Sequence, residues 1–348
     1  MVRILKKCLF LLALIFISSG LLAGVSDIIE NAKKNNLSFQ NALIAFEQAK
    51  MDHDKALKEA QTIKEELMAK RSYLSVYQSY LESLYSHVST VFNEYIEYQK
   101  NVISYNLAKD KLELSQSDLT RKQELEKKGL VSKTDVIDAE LIVKEDQVSL
   151  EQAKYNLEKS KEDLLDLLGT QEIPNWDLEA ASTEVELPTL DVLTSKSVDI
   201  QLSEISLQLA KYDLDSMSSD TSLYDQKTYK NNYVKAQNSL EDTKNRISDS
   251  YSDDLFTIKI LQSQIEIQKE RVQNLKADLS TAEQKFKKGL ISETEYYNAE
   301  NNYYSALSVL YDRVGSFIKS VVRLYILAED DYTKALDAVF KEQGLSKR

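Results

Sequence analysis

The chain has 348 residues, 44 of them basic and 56 acidic, for a formal net charge of −12. That sign excludes a nucleic-acid binder, whose phosphate contacts need a basic footprint. One cysteine, two prolines and seven glycines exclude a disulfide framework and leave few residues able to turn the chain sharply.

The N-terminus carries Arg3, Lys6 and Lys7, then an apolar run over residues 8–17, then Ser18, Ser19 and Gly20. A charged start, a short apolar stretch and small residues before a cleavage point after Ala23 or Gly24 predict a secretory signal peptide over residues 1–23. An apolar run of about ten residues is short for a membrane span, which needs about 20. No cysteine follows Ala23 and Gly24, so a lipid anchor is not expected. Cleavage would remove Cys8 and three cations, leaving an exported chain with no thiol and a charge of −15.

Residues 24–169 form the first predicted repeat. Between Gly24 and Gly129 there is neither glycine nor proline, so long helices are expected. A short helix over about 37–56 should precede a long one ending at residue 128, with the turn between them somewhere in 55–71. At 1.5 Å per residue the long helix would span about 90–100 Å. Its apolar positions recur every seven residues, at Tyr77, Leu84, Val91, Tyr98, Tyr105, Leu112 and Leu119, with a second row at Leu74, Leu81, Val88, Tyr95 and Val102. Sustained heptads predict coiled-coil packing. A third helix, about 132–168, continues with Val136, Val143, Leu150, Leu157 and Leu164. Its second row is small, Ala139, Asp146, Ala153, Ser160 and Leu167, where Asp146 reads as an exposed or lumen-facing turn.

Residues 127–140 (KKGLVSKTDVIDAE) return at 287–300 (KKGLISETEYYNAE) with eight of fourteen positions identical. Such a match predicts that the chain is built from two copies of one unit. Gly129 and Gly289 suit the left-handed residue that ends a helix. Ser132 and Ser292 suit the N-cap of the next, with Asp135 and Glu295 completing a capping box. The heptad rows resume at the same spacing through Tyr251, Ile258, Ile265 and Val272, and through Tyr303, Leu310, Phe317 and Leu324. The organisation expected is therefore a repeat over 24–169, a linker over 170–195 holding Pro174, Pro188 and Trp176, a second repeat over 196–330, and a tail over 331–348 that frays in its last five residues. The fold class is all-α, with long antiparallel coiled-coil helices.

Catalytic chemistry is not expected. His53 and His87 lack ligand-spaced partners and read as surface or packing residues. The pairs Asp213/Asp215 and Asp253/Asp254 read as solvated faces, and the tyrosines as packing residues with wet hydroxyls. No nucleophile–base arrangement and no glycine-rich phosphate loop is present, so no enzyme, cofactor or metal is predicted.

A helix ending in Gly-Leu-Val-Ser, then Thr-Asp-Val and an alanine- and leucine-rich helix closing on Leu-Leu-Gly, with the turn segment recurring at 287–300, resembles the outer-membrane efflux proteins of the TolC family, in which the motif recurs in two internal repeats. The resemblance covers nearly the whole chain after residue 23. It implies a homotrimer enclosing an α-barrel in the periplasm and outer membrane, with a periplasmic adaptor and an inner-membrane transporter as partners. The turns Gly129, Leu130, Val131 and Ser132, and Gly289, Leu290, Ile291 and Ser292, would then form the adaptor-docking tip. The gate positions would map to Asp135, Glu295 and Asn298, and three copies of a pore-lining Glu295 would favour cations. Asp135 and Glu295 have an alternative role as helix caps alone. The family's aromatic and basic latch positions fall on Phe286 and Ile291, so that latch is not expected. The β-hairpins that members insert between the first two helices of each repeat are not expected either. Residues 55–71 are strongly helix-forming and show no strand alternation, residues 216–226 read as a simple turn, and neither leaves room for two membrane strands of about 9–11 residues. A separate outer-membrane protein would then complete the path. The rival reading is a non-conducting exported coiled-coil spacer between envelope layers.

Overall fold

The computed structural model describes residues 24–340; the expected signal peptide and the expected fraying at 344–348 lie outside the described residues. A short helix α1 (Val25–Ala32) runs through a 3-10 turn (Lys33–Asn35) into α2 (Leu37–Glu59), α3 (Ile63–Lys127) and α4 (Lys133–Leu168). An extended linker and α5 (Leu190–Lys196) lead to α6 (Val198–Asp215), α7 (Leu223–Lys287), α8 (Glu293–Leu327) and α9 (Tyr332–Val339). Among the described residues there is no β-strand, and no helix is long and apolar enough to cross a membrane.

Local chemistry fixes the helix ends. Asn36 caps α2 by accepting from the Phe39 amide at 3.0 Å. Thr62 and Glu65 form a capping box at the start of α3, with Thr62 Oγ1 accepting from the Glu65 amide at 3.2 Å and Glu65 Oε2 from the Thr62 amide at 3.1 Å. The turn expected within 55–71 is the three residues 60–62, and its mate is the seven residues 216–222. Both are plain helix-to-helix turns, as expected for a chain without the hairpins.

The two long helices, α3 and α7, have 65 residues each, or about 98 Å at 1.5 Å per residue. Beside α3 stand α2 and α4, end to end; beside α7 stand α6 and α8. Because α3 also packs on α6 and α8, the helices form one layer of four columns in the order α2/α4, α3, α6/α8, α7.

The largest core lies where the columns meet at mid-height. There Val88, Val91, Phe92 and Tyr95 of α3 pack against Val314, Phe317, Ile318 and Val321 of α8. Gly315 makes the crossing close: a Cβ on it would stand 2.2 Å from Ile96 Cδ1. Around this core runs a belt formed by the linker and the two ends. Tyr95 Oη receives a hydrogen bond from the Trp176 amide at 2.9 Å and donates to its carbonyl at 3.0 Å. Lys269 and Gln262 of α7 bond the carbonyls of Ala181 and Thr183 at 2.7 and 2.8 Å. Such bonds satisfy backbone groups that an extended segment cannot satisfy itself. The tail joins the belt too: α9 buries Leu336 and Val339, and Phe340 stacks on Phe92 with centroids 6.2 Å apart.

Towards the Gly129 end the core thins, and Tyr105, Leu112 and Leu119 are only half-buried. Asp146 departs from expectation. It is buried at the α3–α4 seam, where Lys111 Nζ approaches Oδ1 to 2.9 Å. The interruption in the small-residue row is filled by an ion pair, and it is not an exposed turn.

Candidate functional site

The two glycine turns close the hairpins α3–α4 and α7–α8 with nearly the same bonds. The Gly129 amide donates to the Glu126 carbonyl at 2.8 Å and the Leu130 amide to that of Leu125 at 2.9 Å; the Gly289 and Leu290 amides donate to Phe286 and Lys285, both at 2.9 Å. These are the two bonds of a Schellman ending, which needs a left-handed residue. Both glycines have φ +71°, and nothing lies within 4 Å of where a side chain would begin. Glycine is therefore required for backbone conformation alone, and the space outside each turn is open.

Next come the restarts. Ser132 Oγ accepts from the Asp135 amide at 3.1 Å while Asp135 Oδ2 accepts from the Ser132 amide at 2.8 Å and its hydroxyl at 2.7 Å. Ser292 and Glu295 repeat this at 3.2, 2.7 and 2.8 Å. The Ser132 hydroxyl and amide hold the Asp135 carboxyl below its usual range, and the Ser292 amide and hydroxyl do the same for Glu295. Both carboxylates are thus occupied as caps while remaining exposed. Asn298 is exposed about one turn further along α8 and takes no part in the cap. Val131 and Ile291 are half-buried, whereas Leu130 and Leu290 are 68 % and 70 % exposed. Each tip thus presents an unburied leucine beside a carboxylate.

The two tips differ in one respect that sequence reading missed. Phe286 stacks on Tyr296 across the second hairpin, with centroids 5.3 Å apart and planes 13° from parallel. Burial pushes the Tyr296 phenol up to about 12, with Glu300, Glu283 and Asp110 adding to the effect. The first hairpin has Glu126 and Val136 at those positions, so only the second is closed by a ring pair.

A second surface was also missed. The outer columns of the layer each keep an apolar stripe out of contact. On α2 it comprises Leu37, Ile44 and Met51, and on α4 Leu141, Val148 and Tyr155, both at seven-residue spacing. On α7 it includes Val234, Phe256, Ile260 and Ile267. Heptad spacing on an exposed helix face is the signal that would have found these stripes.

Residues 182–328 match the family model described as outer membrane efflux protein. Among solved structures, the CusC channel is similar with a TM-score of 0.58 and 14 % identity, covering 91 % of this chain and 96 % of CusC. The CmeC outer membrane channel of Campylobacter jejuni gives 0.55 and 13 %, covering 97 % and 96 %. VceC of Vibrio cholerae gives 0.54 and 12 %, covering 86 % and 95 %. No curated protein matches the chain. The resemblance to TolC-family proteins drawn from the tip motifs is borne out: the second half carries the family's sequence pattern, and the helical fold is theirs without strands among the described residues.

Proposed function

We propose that this chain is the helical stave of an efflux conduit, exported to the periplasm and outer membrane, and that three copies close into a tunnel. The observation that carries the reading is the pair of apolar stripes on the two outer columns. A four-column layer with one open edge at α2/α4 and another at α7 can bury both against further copies, and a head-to-tail contact of this kind makes a ring when the rotation between copies closes. The Gly129 and Gly289 turns then lie together at one end, where Leu130 and Leu290 offer apolar contacts to a periplasmic adaptor joined to an inner-membrane transporter. Asp135, Glu295 and Asn298 stand beside that entrance. The cargo is a small molecule or protein chosen by the transporter.

The plain turns at 60–62 and 216–222 favour one alternative, a non-conducting spacer, because neither contributes a strand to a membrane barrel. In the conduit reading a separate outer-membrane protein completes the path. Light scattering of the mature protein tests the assembly: a trimer is expected, and a monomer or dimer at physiological concentration would sink the tunnel. Replacing Leu130 and Leu290 by Asp tests the tip. Export should be lost with helicity and mass unchanged, and unchanged export would remove the docking assignment.

A further inference from the structure

His87 stands at mid-height on α3 and is buried although its ring carries two polar nitrogens. Nε2 lies 3.1 Å from the carbonyl oxygen of Ile29 in α1, and Nδ1 lies 3.1 Å from the side-chain nitrogen of Asn36. The neighbours fix the proton. A carbonyl only accepts, so Nε2 must carry hydrogen. Asn36 has already turned its oxygen to the Phe39 amide, as the cap of α2 at 3.0 Å, so it shows the imidazole its NH2, which only donates. Nδ1 is therefore bare, and the ring is neutral in one tautomer.

A second proton has no place in this arrangement. On Nδ1 it would meet the Asn36 NH2, donor against donor. Asn36 can turn its amide over only by withdrawing its oxygen from the cap and presenting NH2 to the Phe39 amide. Either way, a bond that holds the start of α2 is lost.

Burial is the main influence holding the imidazole below the ordinary histidine value. Lys33 acts in the same direction, while the Ile29 carbonyl and Glu30 oppose it. Lys33 is itself paired with Glu30 at 2.7 Å and sits over the rings of Phe39 and Tyr332, 5.4 and 5.3 Å from their centroids. Tyr332 of α9 donates to Glu30. The Phe39 ring from α2 covers the imidazole at 5.5 Å and separates it from the phenol of Tyr80 on α3. Asn35 reaches the Leu167 carbonyl of α4 at 3.3 Å. One short segment, residues 25–36, thus ties α3, α4 and α9 together, and His87 is its buried anchor.

We propose that His87 is an acid-operated latch on the N-terminal strap: neutral, it holds residues 25–36 and the start of α2 on α3; protonated, it releases them while the long helices stay paired. The long helices stay paired because their seams are mainly aliphatic and aromatic, and the buried Asp146 is held beside the Lys111 ammonium. The only other histidine, His53, stacks on Tyr73 away from the strap, with centroids 5.1 Å apart. Release would free the junction between α2 and α4, together with the contact of α1 with α9.

Hydrogen exchange of the full mature protein at pH 7.5 and 4.5, corrected for intrinsic rates, tests the latch. Residues 25–39 should lose protection on the order of ten- to thirty-fold at the lower pH, the ratio expected for two ordinary hydrogen bonds, while α3 and α7 keep theirs. His87→Gln supplies the same donor and acceptor without a titrating ring, and its strap should stay closed at pH 4.5. A strap that opens equally in His87→Gln, or stays closed in the unaltered protein, overturns the latch. Should the variant fail to fold, the ring of His87 in the unaltered protein can be titrated by NMR. Its midpoint must coincide with strap opening, and opening while the ring is still neutral also overturns the proposal.

Discussion

Asp146 and Lys111 pair at 2.9 Å, but the two side chains live in different solvents: Asp146 is 4 % exposed and Lys111 52 %. The second carboxylate oxygen of Asp146 has no hydrogen-bond partner among the described residues. Removing either partner should therefore have unequal effects. Lys111→Met leaves a carboxylate buried without its counter-charge, which costs about 3 kcal/mol. Asp146→Ala leaves an ammonium already half in water and forfeits a pair worth about 1 kcal/mol or less. Replacing both, Asp146→Leu with Lys111→Met, should return stability close to the starting value, as buried pairs exchanged for apolar ones do. Thermal unfolding followed by circular dichroism at pH 7 reads the difference. In a chain of this size about 1 kcal/mol moves Tm by roughly 2 °C, so the lysine variant should fall by about 6 °C and the aspartate variant by about 2 °C. Equal losses for the two single variants, or a larger loss for Asp146→Ala, would falsify the assignment of the burden to the carboxylate.

The close crossing of α3 and α8 makes Gly315→Ala an overpacking change of about 1–3 kcal/mol, because the new methyl meets Ile96 Cδ1. Adding Ile96→Val removes that atom and should restore most of the lost Tm; no rescue would place the strain elsewhere. The left-handed glycines should separate by their surroundings. Gly129→Ala should cost only the backbone term of about 1–2 kcal/mol. Gly169→Ala, whose Cβ would lie 2.2 Å from Asn35 Nδ2, should cost more and loosen residues 33–36 in hydrogen exchange. Phe286→Ala should uncover Tyr296 and bring its phenol down from about 12 towards the ordinary value of about 10. Tyrosine ring NMR would show this, and an unmoved pKa would mean that Phe286 does not supply the cover.

Much of this fold is legible in the sequence because its forces are local and repetitive. Seven-residue spacing along α3 and α4, the absence of breakers before Gly129, and the Ser132 and Ser292 caps each act within one or two turns of chain. The helix boundary at residue 168 and the lack of hairpins could be read for the same reason. What could not be read depends on partners distant in sequence. Asp146 looks like a solvated break until Lys111, on the neighbouring helix, is brought to it. Linker residues 170–189 have no periodic pattern, since side chains of other elements such as Tyr95, Gln262 and Lys269 satisfy their backbone groups. His87 lacks a ligand-spaced partner because its partners are a carbonyl and an amide, which leave no motif. At the tips the caps and glycines are legible, but in the sequence Phe286 reads only as a vacant latch position, because its stacking on Tyr296 depends on a pairing across the turn.

The two halves of the chain have diverged most where their neighbours differ. The helices α3 and α7 keep the same length, and α4 and α8 have 36 and 35 residues. The far turns do not match. From the start of α2 to that of α3 the chain uses a 23-residue helix and a three-residue turn; from α6 to α7 it uses 18 residues and a seven-residue turn. The distance is covered by exchanging helix for loop, with a one-residue difference that falls at the end distant from the glycine tips. The adjoining seams differ as well. Between α2 and α3, Phe39, Tyr80, Phe46, Tyr77 and Tyr73 form a ladder of rings 4.8–6.3 Å apart. At the inner column α6, Val198 and Ile205 pack on Leu74 of α3, with Tyr73 and Tyr77 beside them and no ring of α6 itself in the cluster. In the proposed ring, α2 lies at an outer column whose other side meets the next copy, and α6 lies between two helices of its own chain. A column held from one side within its own chain gains most from large, rigid rings, which bury more area per side chain. A column held from both sides can be built from Val, Ile and Leu. The aromatic ladder thus belongs to the same logic as the apolar stripe on Leu37, Ile44 and Met51: α2 is fastened firmly to α3 so that its opposite face can be offered to a neighbour. Substituting Phe46→Leu and Tyr77→Leu together should therefore weaken assembly into trimers, read by light scattering on dilution, more than it lowers the helical content of the single chain.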